Sequence, residues 1–219
     1  YALRSHRDDG LLQQCTFRDL SFSQARRQIE TFGLPDLLYS FGTMHPGAIT
    51  LHNYPRFLQS LQKEDSEHLT DMGAVDILRD RERGVPRYNQ FRRLLHKRPV
   101  VSFEDLTPNP LWAAELREVY GGHIEDVDLM VGLYGEAPPP GFGFSDTAFR
   151  IFILMASRRL KSDRFFTTDY TATVYTPEGM RWIDDNTMST VLLRHCPELQ
   201  PYLAKVENAF APWPHAPSR

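Results

Sequence analysis

The sequence predicts a mainly helical protein, one domain or part of one. Three observations carry that prediction. Helix start and stop signals recur along the chain, each a capping residue, apolar residues at three- and four-residue spacing, and then Gly or Pro. The period-two alternation of a half-buried strand is nearly absent, and only "TATVYT" at 171–176 shows it. A chain of 219 residues that is 41% hydrophobic and 12% aromatic also has enough apolar material for a packed core.

The elements follow in order. "SFSQARRQIETFG" offers Ser21 or Ser23 as N-cap and Gly33 as a stop. "LPDLLYSFGTMHPG" is a short apolar segment closed by Pro46 and Gly47. "HNYPRFLQSLQ" starts at Asn53 with Pro55 in its first turn. "TDMGAVDILRDRERG" has Thr70 or Asp71 as cap and Gly84 as its end, with Pro86 just beyond. "NPLWAAELREVYGG" places Asn109 before Pro110, then Leu111, Ala114, Leu116, Val119 and Tyr120 at helical spacing. "HIEDVDLMVGLYG" predicts a further helix with acids in its first turns, where the helix dipole favours them. "APPPGFGFSD" is a rigid loop that delivers Ser145 as N-cap of "DTAFRIFILMASRRLKSD". That segment is apolar on nearly every face until Arg158, the pattern of a buried helix. "TPEGMRWIDDN" repeats the cap-then-Pro start with Thr176 and Pro177, and "MSTVLLRHCPEL" and "PYLAKVENAF" are shorter helical segments. Residues 1–15 and 212–219 are expected to be irregular, with "APWPHAPSR" a frayed tail.

Charge narrows the function. A net charge of −3 opposes broad nucleic-acid binding, which needs an excess of positive surface. All but four of the 25 basic residues are Arg, the side chain suited to bidentate, partly buried pairing with carboxylates; high-GC coding explains the same bias equally well. Cys15 and Cys196 stand alone, so a disulfide framework is not expected and an intracellular setting is, with a single bridge between them left open. The chain opens on Tyr1 without a secretory signal, the start of a processed chain or a fragment. Its longest apolar run, "IFILMA" at 151–156, is too short to span a bilayer. Eight histidines show no metal-ligand spacing, and no phosphate loop or nucleophile elbow is present, so no metal site is expected.

Two arginine groups stand out. "RDRERGVPRYNQFRRLL" at 79–95 holds six. Asp76, Arg79 and Arg83 climb one helical face while Arg81 points elsewhere, an arrangement suited to cofactor carboxylates or to an exposed ladder of ion pairs. Arg159 tops a stripe through Ile151 and Met155, with Arg158 beside it. This pair suits either a ligand with a carboxylate head and a long alkyl tail, or simple capping of the helix dipole.

"RDRERGVPRYNQFRRLL", "LREVYGGHIEDVDLMVGL" and "GFSDTAFRIFILMASRRLKSDRFFTTDY" resemble, in order and spacing, the C-terminal half of animal-type haem peroxidases. "GAITLHNYP", "RDRERGVPRYN", "MASRRLKSDRFFT" and the final "AFAPWPHAP" resemble the fatty-acid α-dioxygenase branch, related to cyclooxygenase, and the resemblance covers nearly the whole chain from about Thr16 onward. The resemblance implies the C-terminal portion of one mainly helical catalytic domain around haem b. It also implies oxygenation of a long-chain fatty acid at Cα to a 2-hydroperoxy acid by way of a tyrosyl radical. It carries the substrate-binding role to Arg159, with Arg158 as alternative, and cofactor-binding roles to Asp76, beside the proximal His, and Arg79, at a propionate. The peroxidases typically have Asn where this chain has Asp76. The radical Tyr and both haem histidines are expected upstream of Tyr1, since "YALR" lacks the fourth-position His and His6 is wrongly spaced. No catalytic residue or iron ligand is thus expected within the chain, which alone would be inactive. Its expected partners are fatty acid, O₂ and the N-terminal part of the same enzyme, with peripheral membrane contact and no nucleic acid. The competing expectations are a haem peroxidase that does not use fatty acids and a non-catalytic helical scaffold.

Overall fold

A computed structural model describes residues 1–45, 47–62 and 67–217. Their helices and short strands run β1 (Ala2–Arg4), β2 (Leu11–Gln14), α1 (Phe22–Phe32), α2 (Leu34–Thr43), α3 (Arg56–Gln59), β3 (Leu61–Gln62) and β4 (Leu69–Thr70). They continue with α4 (Met72–Glu82), α5 (Tyr88–Leu94), α6 (Phe103–Leu106), α7 (Pro110–Val119), α8 (Leu129–Gly135) and α9 (Asp146–Ser162). The last three are α10 (Ala172–Asp185), α11 (Met188–His195) and α12 (Gln200–Leu203). The mainly helical class is as predicted. The chain divides into two compact units, Tyr1–Pro46 with Arg164–Arg219, and Gly47–Asp163.

In the first unit, β1 and β2 pair antiparallel, with Leu3 opposite Gln13, so residues 1–15 are more ordered than the sequence suggested. The buried Leu3 of this hairpin packs with Cys15 and Leu37, a tertiary contact with no local signature. The ends of α1 fall where expected, at Ser21 and at Gly33, whose φ of +81° is accessible at little cost only to glycine. Tyr39, Cys196, Leu199, Tyr202, Leu203, Trp213 and Ala216 form the main core cluster. Through Ala216 the tail is therefore not frayed, and Ser218 and Arg219 lie outside the described residues. Trp213 donates its backbone N–H to the Gly42 carbonyl at 2.7 Å, and a Cβ at Gly42 would lie 2.2 Å from the indole. Only glycine on α2 lets the tail cross there. "TATVYT" is also corrected: Thr171 precedes α10 and the rest lies in it, and no described strand pairs with it. That helix breaks at Thr176, φ +62°, whose hydroxyl accepts the Gly179 N–H at 3.1 Å, as the cap-then-Pro pattern predicted.

The second unit is built on Tyr88, Val100, Phe103, Leu106, Ala113, Leu116 and Val127. Its caps match the sequence: Asp71 accepts the Ala74 N–H, Asn109 those of Leu111 and Trp112, and Ser145 that of Ala148. Each satisfies backbone N–H groups that a helix start leaves open, at a stability of about 1 kcal/mol. Elsewhere the expectations shift. The "HNYPRFLQSLQ" helix is a single turn, α3. On α7 the buried stripe is Ala113 and Leu116, while Leu111 and Val119 face solvent. "HIEDVDLMVGLYG" is not one helix but a 3-10 turn at Ile124–Asp126 followed by α8, divided at Asp128. The largest departure is α9, expected to be buried: Phe152, Ile153, Leu154, Met155 and Leu160 are all exposed.

Candidate functional site

The arginines of 79–95 meet carboxylates of their own unit. Asp128, 3% exposed at the start of α8, accepts from Arg81 Nε at 2.9 Å and Nη2 at 2.6 Å, from Arg87, and from the Tyr120 hydroxyl at 3.0 Å. Burial pushes its carboxyl up, but the Arg81 and Tyr120 hydrogen bonds and the charges of Arg87 and Arg81 prevail and hold it below the usual aspartate value. Burial beside that carboxylate raises the Tyr120 phenol to about 12. Glu136 forms a second node: it accepts from Tyr88 Oη at 2.7 Å, lies 3.3 Å from Arg92 Nη1, and takes the Thr147 N–H at the first turn of α9. Glu125 forms the third, with two bonds from Arg93 and one from the buried Asn89. Sequence reading missed Asp128, Glu136 and Glu125 as partners. The acids before α8 were visible only as a dipole-friendly first turn, because their arginines lie 32–47 residues away.

Arg81 turns away from Arg79 and Arg83, as helical spacing predicted. The latter two line a groove of about 380 Å³ between α4 and α8. Asp76 and Asp80 share its α4 wall, and Leu129, Met130, Leu133 and Tyr134 form the α8 wall. Asp76 and Arg79 face each other at 3.6 Å, both half-exposed, so the ladder of ion pairs considered from sequence is here reduced to one loose contact. Arg83 forms no ion pair among the described residues.

Arg158 and Arg159 stand exposed near the end of α9. Neither forms an ion pair among the described residues, although each backbone carbonyl accepts from the Ser162 hydroxyl. Met155 and Phe152, one and two turns before Arg159, are 51% and 62% exposed, so the guanidinium heads an open apolar stripe. The groove and the α9 stripe are separate features; the geometry does not bring Asp76 and Arg79 to Arg158 and Arg159.

Among the described residues, no group of three or more His, Cys, Asp or Glu is placed to hold an ion. His52 instead pairs with Glu115 at 2.6 Å. Cys15 and Cys196 are free, buried and in different core clusters. Among the described residues, no helix is long and apolar enough to cross a membrane.

The chain is similar to known proteins in sequence and in backbone fold. The chain is 43% identical over 206 residues to alpha-dioxygenase 2 of Arabidopsis thaliana, covering 91% of this chain and 33% of that protein. It is 41% identical over 196 residues to alpha-dioxygenase PIOX of Oryza sativa, covering 87% and 32%. The crystal structure of the Oryza sativa fatty acid alpha-dioxygenase superposes with a TM-score of 0.88 at 37% identity, over 97% of this chain and 37% of that one. A variant of the same enzyme with palmitic acid gives 0.87. The chain thus spans about a third of the length of the relatives it matches, with the same helical fold. The animal haem peroxidase family matches residues 2–210, nearly the whole chain, and the chain belongs to that family.

Proposed function

We propose that this chain is the C-terminal part of a haem-dependent fatty-acid α-dioxygenase that converts a long-chain acid and O₂ to a 2-hydroperoxy acid by way of a tyrosyl radical. The observation that carries the reading is α9, a long helix with an open apolar stripe headed by guanidiniums that form no ion pair among the described residues. An alkyl chain along Phe152 and Met155 would bring its carboxylate to Arg159, with Arg158 alongside. A guanidinium binds a carboxylate through two parallel hydrogen bonds, so it fixes the orientation of the acid as well as its place. Chemistry at Cα needs that fixation, because neighbouring methylenes are chemically alike and only position selects among them.

The family implies a haem, and the α4–α8 groove fits an edge of one. Its apolar wall of Leu129, Met130 and Leu133 suits a porphyrin face, and Arg79 and Arg83 suit propionates. Haem b, when bound, supplies oxidising equivalents drawn from peroxide. In this reading Arg79 would pair with a haem propionate, and Asp76 would accept a hydrogen bond from the imidazole that holds the iron. The remaining polypeptide of the enzyme covers the apolar face of α9. Nucleic acid is not a partner in this reading, because carboxylates already engage Arg81, Arg87, Arg92 and Arg93.

The test is product analysis with the full-length enzyme. Palmitate should drive uptake of one O₂ per acid and yield the 2-hydroperoxy acid by mass spectrometry. Peroxide-dependent dye oxidation without any fatty-acid-dependent O₂ uptake would overturn the reading in favour of a plain haem peroxidase.

A further inference from the structure

The first unit holds a buried phenol in a setting that none of the roles above uses. Tyr39, fully buried on α2, donates its hydroxyl to Asp9 Oδ1 at 3.0 Å and accepts the Ala216 N–H at 2.7 Å. The same Asp9 oxygen lies 3.1 Å from Nδ1 of His215, an imidazole more than half exposed. Arg4 Nη1 stands 3.5 Å from the other Asp9 oxygen. The Tyr202 ring is 4.8 Å from that of Tyr39, centre to centre, and the Tyr202 hydroxyl is tied to the His6 carbonyl. Asp9 itself sits at φ +57°, a conformation held by the hairpin turn around it.

Among the described residues three other phenols also meet carboxylates: Tyr170 does so in an exposed bond to Asp184, and the contrast with the other two, Tyr88 and Tyr120, is informative. Tyr88 accepts from the Arg92 guanidinium at 3.2 Å, and Tyr120 shares Asp128 with two guanidiniums. A cation on the phenol, or two on its acceptor, opposes loss of an electron from the ring and of a proton from the oxygen. Tyr39 has no cation on its hydroxyl among the described residues. Its acceptor carries one loose guanidinium contact and an imidazole that reaches water. Burial raises the phenol to about 12, so the resting group is a neutral donor. The Asp9 carboxyl is depressed, its burial outweighed by hydrogen bonds from His215 and Tyr39, yet an oxidised phenol is a strong acid and still delivers its proton to a carboxylate at this distance.

We propose that Tyr39 is a redox-active site. A one-electron oxidant of high potential takes an electron from its ring, the phenolic O–H bond breaks, and the proton forms an O–H bond to Asp9 Oδ1. The products are a neutral phenoxyl radical, a protonated Asp9 and an oxidant reduced by one electron. Burial shields the radical, and Tyr202 is close enough to share the hole.

The test uses the full-length protein with an external oxidant, photogenerated tris(bipyridine)ruthenium(III), so its outcome does not depend on haem or fatty acid. Electron paramagnetic resonance of freeze-trapped samples should show a phenoxyl component that Tyr39→Phe removes. Asp9→Asn, which keeps the phenol and removes the base, should lower its yield on the order of a hundredfold, and Asp9→Glu should restore it. In the unaltered protein the radical should form more slowly in D₂O. An unchanged spectrum in Tyr39→Phe, an unchanged yield in Asp9→Asn, or equal rates in the two solvents would each overturn the proposal.

Discussion

Two arginine groups of the second unit meet opposite fates. In the segment 79–95, four of six guanidiniums find carboxylates on α8 or just beside it: Arg81 and Arg87 at Asp128, Arg92 at Glu136, Arg93 at Glu125. On α9, Arg158 and Arg159 find none among the described residues. In the reading proposed above, that difference separates scaffold from site. A guanidinium whose charge is neutralised within its own unit fixes helices; one that heads an exposed apolar stripe is set up to receive an anion from elsewhere. Arg79, loosely paired with Asp76 at the groove, stands between the two cases.

The scaffold half of that comparison breaks most visibly at its hub. Asp128→Ala leaves Arg81, Arg87 and Tyr120 without their acceptor, and a loss of about 3 kcal/mol is expected in urea unfolding. That is the low end for a buried pair, because both guanidiniums reach water. A loss within 0.5 kcal/mol, about the size of a surface effect, would show that the lattice does not hold the unit together. Glu136→Gln keeps the shape of the second node but removes the charge facing Arg92 and Lys97, at a cost of about 1 kcal/mol. An unchanged midpoint would remove that node from the scaffold.

Acid sharpens the same point. The Asp128 and Glu125 carboxyls are both depressed in the folded chain, from reference values of 3.8 and 4.5. For Asp128 the guanidinium and Tyr120 contacts overcome burial; for Glu125 the Arg93 bonds lead. A depressed carboxyl contributes stability that is present above its unfolded pKa and lost as pH falls through its folded pKa. Stability should therefore decline as the pH drops below these reference values, and the decline should be shallower in Asp128→Asn. Equal slopes would contradict the assignment. The smallest effect belongs to Arg79→Ala, an exposed pair expected to cost less than about 0.5 kcal/mol. In the full-length enzyme it should nevertheless shift the haem absorption band, and an identical spectrum would take Arg79 away from the propionate.

What was legible in the sequence follows the range of the interactions. Asp71, Asn109, Ser145, Gly33 and Thr176 were readable because a cap or stop is settled within a few residues. The hairpin at residues 1–15 and the tail were not, because Leu3 depends on Leu37 and Trp213 on Gly42. "TATVYT" misled because alternation makes a strand only where a partner strand exists. The apolar circumference of α9 was read correctly as pattern, while its burial depends on what packs against it. Helical spacing placed Arg79 and Arg83 together and sent Arg81 away, but not to Asp128. The roles proposed for Asp76, Arg79, Arg158 and Arg159 rest on family resemblance joined to that geometry.

The most direct test of the α9 assignment measures the apparent affinity of the full-length enzyme for palmitate and for its methyl ester, in the unaltered protein and in Arg159→Leu. If Arg159 holds the carboxylate, the substitution and the esterification should each weaken binding about tenfold, or 1.4 kcal/mol. Together they should weaken it little further, since both remove the same contact. Full additivity of the two effects, or an Arg159→Leu enzyme that binds palmitate as tightly as before, would contradict the account.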